Sequence, residues 1–437
     1  MGQMTRSLTW RRRVMFNALM LLGTWVLIEG VSFAVMVMFV GMPGQLAERQ
    51  RVTAAQEPFQ PGGLFVAPAV IHPYLGAVME PKDDGGELSI DGKYRVTEFG
   101  FIDEGSPIHQ RGPDRVIIGI LGGSVARQFS MNAADALTAE LAGSPQYAGR
   151  RFQFVRLASD GYKQPQQLMT LNYLLALGAE FDIVINLDGV NEAALPGIDN
   201  VPFGVFAAFP RDWGKLVAGA SSPEFVRRGG YVSYLRRQQR DEAHWFGSAP
   251  WRYSPTALVV WGMRKHRSDQ TIQQQVEGMS RFTEKQRTYG GSGPPETFGS
   301  PREMYEHCTE LWCRSSIVLH QVCAARGIRY FHFLQPNQYL MGSKPIGPGE
   351  AAVAVKEGSP MCEAVRACFP LMQAQAPRLV EAGVAFTDLT GVFADHPEPI
   401  YKDFCCHVEL AGDLIMAKAI AARIKQADPQ SPPPVTP

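Results

Sequence analysis

Four arginines, Arg6, Arg11, Arg12 and Arg13, precede an apolar run that extends from Val14 to Met42. The run is 29 residues long, and about 20 suffice to cross ~30 Å of hydrocarbon. The apolar core of a cleavable signal peptide is only about 7–15 residues. The length therefore predicts a retained signal-anchor helix over 14–42, with 1–13 as a basic cytoplasmic N-terminus. The alternative is cleavage after the small residues Thr53-Ala54-Ala55. Beyond the run, Glu48 partly offsets Arg49 and Arg51. The positive-inside rule then places the N-terminus in the cytoplasm and the rest of the chain outside, which in a bacterium is the periplasm.

Glu29 interrupts the run and costs about 2.5–3.5 kcal/mol there. Fourteen Leu, Ile, Val and Phe residues contribute about 4–8 kcal/mol in favour of insertion. Insertion survives the acid. Glu29 is read either as a contact for a membrane partner or as a protonated or snorkelling side chain.

Residues 43–112 are rich in Gly, Pro and short apolar pieces, with a turn at Pro81-Lys-Asp-Asp-Gly-Gly86, and read as a linker and a β-rich lead-in. From 113 to 427 the rhythm changes. Continuous apolar strands are predicted at Arg115–Leu121, Phe152–Ala158, Phe181–Leu187, Ile328–Leu334 and Val384–Leu389. Helices are predicted near Asn132–Ala142, Gln164–Leu177, Glu303–Arg326, Pro360–Ala382 and Leu410–Ala427. Val/Ile/Leu strands alternating with helices predict an α/β domain with a parallel sheet covered on both faces. Residues 195–300 break the rhythm and read as an insertion packed over the sheet. The Pro-rich end, 428–437, reads as a disordered tail.

Composition narrows the classes. The chain has 437 residues, 45% of them apolar and 19% charged, which suits a globular core. Its 42 basic and 42 acidic residues cancel, so nucleic-acid binding is not expected. No repeat, heptad or glycine period is present.

Candidate chemistry sits where strands end, which is where parallel sheets place their sites. Gly122-Gly123-Ser124 follows the first strand, Ser159-Asp160-Gly161 the second, and Asp188-Gly189-Val190-Asn191-Glu192 the third. Tyr401-Lys402-Asp403-Phe404-Cys405-Cys406-His407 precedes the last helix. A serine hydroxyl becomes a useful nucleophile when an adjacent base takes its proton. His407 is the candidate base, with Asp403 to hold its tautomer. The Ser124 N–H, the Gly161 N–H and the Asn191 amide are candidate oxyanion donors, each worth about 10²–10³ in rate.

A serine, a glycine, an asparagine and a late histidine in this order resemble the SGNH (GDSL-type) hydrolase superfamily. Ser124 matches its first block, although Gly123 stands where the family has the aspartate of Gly-Asp-Ser. Gly161 matches the second block and Gly189-Val190-Asn191 the third. Asp403 and His407 match the last, with one residue more than the usual Asp-x-x-His, an excess that a one-residue bulge absorbs. The segment Phe333–Tyr339, with Lys344-Pro345 and Glu350, looks like large membrane-anchored members without an assigned substrate. The resemblance implies a three-layer, flavodoxin-like α/β fold, a Ser124–His407–Asp403 triad, and no metal or cofactor. An α/β-hydrolase elbow at Gly122-Gly123-Ser124 is set aside, because that fold carries its acid and histidine on separate loops.

All seven cysteines lie beyond residue 300 without zinc-type spacing. Cys362–Cys368 is a candidate disulfide. Cys405 and Cys406 read as packing residues, and neither is placed as a nucleophile. In the insertion, Tyr231, Tyr234, Trp245, Trp251 and Trp261 stand among many arginines. They read either as a lid that meets sugars or anionic headgroups, or as helical packing beneath a solvated basic face.

The expected activity is hydrolysis of an O-acyl ester on an envelope glycan or lipid through an acyl-Ser124 intermediate. The alternatives are acyl transfer to a sugar hydroxyl by the same triad, and a non-catalytic subunit of a membrane complex that uses Glu29 or the insertion for contacts.

Overall fold

The computed structural model describes residues 10–55, 69–81, 93–217, 223–282 and 289–427. Arg6, the turn residues 82–86 and the tail 428–437 lie outside them. The chain forms two compact units, one from residues 1–64 and 222–286, the other from 65–221 and 287–437.

In the first unit the helix Trp10–Val35 continues through a π-turn, Met36–Val40, and stops at Gly41. These 31 residues form one helix apolar enough to span a membrane. The helix Pro43–Ala54 follows, with Gln45 Oε1 accepting the Met42 N–H at 3.3 Å. This corrects the linker expected from residue 43. Pro at the first helical turn supplies a preset φ, while the polar composition hid the helix.

The helices Pro223–Gly247 and Pro255–Phe282 are joined by a 3-10 turn at Trp251–Tyr253. Ala243, Phe246, Leu258 and Trp261 from this hairpin bury themselves with Met36 and Leu46. The insertion is therefore divided between the two units. Residues 223–282 complete the N-terminal unit, because their apolar stripe faces Met36 and Leu46, partners that periodicity does not identify.

The second unit begins with two small antiparallel pairs. Strand β1 (Ala69–His72) pairs with β2 (Gly76–Met79), and β3 (Arg95–Val96) with β4 (Ile102–Asp103). Five parallel strands follow: β5 (Arg115–Gly122), β6 (Arg151–Arg156), β7 (Ile183–Asp188), β8 (Arg329–Leu334) and β9 (Ala385–Asp388). Their order is β6-β5-β7-β8-β9, with Ile120 opposite Ile185 and Asn186 opposite His332. Every residue of β7 is buried, as continuous apolar strands in a covered sheet require.

The helices fall into two packed groups. Ser124–Asn132, Ala134–Ala142 and Leu410–Gln426 form one; Gln166–Ala176, Val190–Leu195, Pro301–Ala325 and Pro360–Ala374 form the other. Arg156 on β6 and Asp103 on β4, both buried, pair at 2.7 Å and tie the lead-in to the sheet.

This strand order reverses direction between β5 and β7, and the crevice of such a sheet opens at the carboxyl ends of the strands flanking the reversal. The sequence placed the sheet strands within two residues at each end. It joined Pro360–Ala374 to Ala376–Glu381, placed Ala134–Ala142 within two residues, and missed the separate helix Ser124–Asn132 before it. All seven cysteines are free thiols, so the Cys362–Cys368 disulfide is corrected. Both residues ride one helix, Pro360–Ala374. Six residues along it separate them by about 9 Å, beyond the ~7 Å a disulfide spans.

Candidate active site

β5 ends in a backbone that only glycine accommodates. Gly122 has φ 143°, and a Cβ there would collide with the Leu187 carbonyl oxygen. The chain turns sharply, and Ser124 becomes the first residue of the helix Ser124–Asn132. First-turn N–H groups have no partner within their own helix, so the Ser124 N–H is available to a ligand oxygen.

The loops after β6 and β7 converge on the same point. Gly161 turns at φ 76°, and the next residue presents its carbonyl to the Asn191 side chain, whose Nδ2 donates to Tyr162 O at 2.8 Å. A Cβ on Gly123 would fall on that same Nδ2. The three loops therefore meet at Gly123, Tyr162 and Asn191. One Asn191 N–H is fixed by Tyr162, which orients the amide and leaves its second N–H for an oxyanion.

Asp403 and His407 arrive from the opposite end of the chain. His407 Nε2 lies 2.8 Å from Ser124 Oγ, and His407 Nδ1 lies 2.6 Å from Asp403 Oδ2. The other Asp403 oxygen accepts the N–H groups of Cys405, Cys406 and His407 at 2.9, 3.0 and 3.2 Å. The loop is closed by Lys402 N–H donating to His407 O at 3.0 Å and by a bridge between Tyr401 and Val408. The three residues between Asp403 and His407 are accommodated with Cys406 at φ 150°, a region that residues with a Cβ seldom enter.

The electrostatics match the geometry. Hydrogen bonding to Asp403 raises the His407 pKa above its ordinary value, against the opposing effect of burial. Burial pushes the Asp403 carboxyl upward, but the His407 hydrogen bond and the backbone N–H groups overcome it and hold the acid well below the carboxylate range. A carboxylate that accepts several N–H bonds is ionised at any working pH. A hydrogen bond from Cys406 lowers the Cys405 thiol to about 7, with burial opposing and His407 assisting. No family model and no curated protein matches this chain.

Several supporting residues carried no role in the sequence. Asp188, at the end of β7, accepts from Trp312 Nε1 at 2.7 Å and faces His332 Nε2 at 2.9 Å. Glu192 reaches back to the Gly189 N–H at 2.9 Å and also takes the Gln164 N–H at 3.0 Å. Burial, then the Asp188 charge, raises Glu192 to about 8. These bonds fix the Gly189-Val190-Asn191 turn.

The Asp403–His407 loop has its own cradle. Gln338 Nε2 donates to Asp403 O at 3.1 Å and Tyr339 Oη to Phe404 O at 2.7 Å. Glu350 Oε1 accepts the Ile400 and Tyr401 N–H groups at 2.8 and 2.7 Å, and its other oxygen pairs with Lys344 at 2.7 Å. Gln338, Tyr339, Lys344 and Glu350 stood out in the sequence only as part of the resemblance.

Beside Gly161 opens a pocket with apolar walls from Ala77, Val78, Met79, Pro210 and Leu216. Arg211 lines it too, paired with Asp199 at 2.8 Å. Among the described residues, no group of three or more His, Cys, Asp or Glu is arranged to hold a metal ion.

Proposed function

We propose that this chain is a membrane-anchored serine ester hydrolase of the SGNH type, acting outside the cytoplasmic membrane on an O-acyl ester of an envelope glycan or lipid. The carrying observation is the line from Ser124 Oγ through His407 to Asp403, at 2.8 and 2.6 Å, drawn from loops 279 residues apart in the chain (403 minus 124). The strand order, with the serine at the switch point, supports the same fold reading. So does the absorbed extra residue between Asp403 and His407.

The chemistry follows from the positions. His407 takes the Ser124 proton as Oγ attacks the ester carbonyl, and Asp403 stabilises the imidazolium that forms. The Ser124 N–H, the Gly161 N–H and the second Asn191 N–H meet the oxyanion. His407 then protonates the departing alcohol, leaving acyl-Ser124. Water attacks next with His407 again as base; the acyl–Oγ bond breaks, the carboxylic acid leaves, and His407 returns the proton to Ser124 Oγ. The apolar wall beside Gly161 suits the acyl portion of the ester.

The test is fluorophosphonate labelling of the detergent-solubilised chain beside Ser124→Ala, with circular dichroism on both. Labelling of the wild type and not of the variant supports the reading. A folded wild type that takes no label overturns it. Adding a sugar alcohol during turnover of an activated ester separates hydrolysis from transfer, because a transferase diverts the acyl group to the alcohol.

A further inference from the structure

The hairpin formed by Pro223–Gly247 and Pro255–Phe282 has no part in the proposed chemistry, yet its tip is built in a particular way. Trp245 and Trp251 stack with centroids 4.7 Å apart, and the Arg252 guanidinium lies 4.5 Å above the Tyr253 ring. Trp245, Trp251 and Tyr253 are exposed, Tyr253 by 69%, and so are Val260 and Met263 just beyond the tip. In water this is a cluster of large apolar side chains without cover.

Glu29 fixes where the tip lies along the apolar helix. Its Oε1 accepts from Ser254 Oγ at 2.6 Å and its Oε2 from the Thr256 N–H at 3.0 Å. Thr256 Oγ1 also donates to Ser32 Oγ at 2.9 Å. Ser254 in turn caps the helix by accepting the Ala257 N–H at 3.2 Å. Higher up, a Cβ on Gly262 would meet Val40, so the helix Pro255–Phe282 rises alongside Trp10–Val40 with its start at the level of Glu29.

The depth then follows from helix geometry. Sixteen residues separate Arg13 from Glu29, or about 24 Å at ~1.5 Å each. With Arg13 at one edge of ~30 Å of hydrocarbon, Glu29 lies about 6 Å inside the other edge. A tilt of about 20° increases that to ~7 Å. Moving the bilayer toward Val40 buries the tip more deeply still. Interfacial segments sit about 5–10 Å into the headgroup and acyl boundary, the level at which Trp and Tyr collect.

We infer that the hairpin tip, from Trp245 to Tyr253, is a second membrane contact that inserts into the leaflet distal to Arg11–Arg13. Leu27, Ile28 and Val31 on the apolar helix, within two residues of Glu29 in the chain, are exposed as well. Arg237, Arg240, Arg264 and Arg267 stand about 10–16 Å above the tip by the same rise, at the height of headgroups. The Glu29 carboxylate is held within the protein between anchor and hairpin. This contact is independent of whether Ser124 is acylated.

The experiment uses the full chain in nanodiscs of phosphatidylethanolamine and phosphatidylglycerol, with or without phosphatidylcholine brominated near the headgroup end of its acyl chains. Trp10→Phe and Trp25→Phe remove the anchor tryptophans, leaving five of the seven. Bromolipid is expected to quench up to about two-fifths of the remaining emission, the share of Trp245 and Trp251. Either Trp245→Phe or Trp251→Phe removes about half of that effect, and both together remove most of it. Emission unchanged by bromolipid overturns the inference. So does emission from Trp245 and Trp251 that aqueous iodide quenches freely in nanodiscs. Emission shielded from both quenchers places protein on the tip and overturns it as well.

Discussion

Gly123 has no side chain because Asn191 occupies the space a side chain would need. The resemblance puts an aspartate at position 123, and here a Cβ there would fall on the Asn191 amide nitrogen. The amide is held in that place by its bond to Tyr162 O at 2.8 Å. The departure from Gly-Asp-Ser is thus matched by a local arrangement in which the Asn191 amide packs directly against the serine turn.

Gly123→Asp is accordingly expected to displace Asn191, not to restore a better site. An ester assay should show kcat/KM reduced by about 10²–10³, as when one oxyanion donor is lost. The unfolding midpoint should drop only modestly, since overpacking at one loop costs roughly 1–3 kcal/mol. Activity retained at the wild-type level would separate Asn191 from the oxyanion hole.

Activity should titrate with His407. The base works only when neutral, and Asp403 raises its pKa, so the acid limb of the kcat/KM profile should have its midpoint above ~6.5, the ordinary histidine value. Rate is lost as pH falls through that midpoint. Asp403→Asn removes the stabilising charge and should shift the limb to lower pH while lowering the plateau by several orders of magnitude, about 10⁴ in a comparable triad. A limb that stays in place in Asp403→Asn would detach the acid from the base.

The buried pair of Lys344 and Glu350 offers a different separation. Glu350→Gln leaves Lys344 without its counter-charge in a fully buried place, and breaking such a pair costs about 3–5 kcal/mol, readable by denaturant unfolding. Replacing both with Met and Leu should recover much of that stability. It should not recover activity, because Glu350 also holds the Ile400 and Tyr401 N–H groups that begin the Asp403–His407 loop. Full activity in the stable double variant would reduce the cradle to packing.

The sheet was legible because its strands are buried on both faces and so appear as unbroken apolar runs, as Ile183–Asp188 does between polar turns. The site was legible because strand ends, glycines and a late histidine are local features. Long-range pairing left no such trace. Nothing in the run from Val14 to Met42 indicates that Glu29 meets Ser254, 225 residues on, and nothing in 223–282 indicates that Trp261 buries against Met36 and Leu46. The Asp403–His407 loop was legible in type and obscure in detail. Its extra residue is accommodated by one unusual backbone angle at Cys406, which composition does not encode.

Cysteine reactivity should single out one thiol. Cys405 is partly exposed while the other six are buried, and its pKa falls to about 7 through the Cys406 hydrogen bond. Iodoacetamide at neutral pH is expected to modify Cys405 first, as thiolate content and access both favour it. Because that sulfur lies two residues from His407, modification should slow ester turnover, while Cys405→Ser should keep most activity and become insensitive to the reagent. Loss of activity in Cys405→Ser would mean that the thiol itself contributes to the site.

Glu29 tests whether the anchor and the hairpin form one folded body. Glu29→Ala strands the Ser254 hydroxyl and the Thr256 N–H, two donors in a place poor in water, at a cost of about 1–3 kcal/mol each. Glu29→Gln keeps one carbonyl oxygen and so retains an acceptor for one of the two. Hydrogen exchange of the amides from Thr256 to Trp261 should therefore rise strongly in the alanine variant and slightly in the glutamine variant. The amides of β7, buried in the parallel sheet, should exchange as before in both. If exchange near Thr256 stayed at its wild-type level in Glu29→Ala, the hairpin would be held by Trp261 and Phe246 alone. The carboxylate would then be free to serve another purpose within the bilayer.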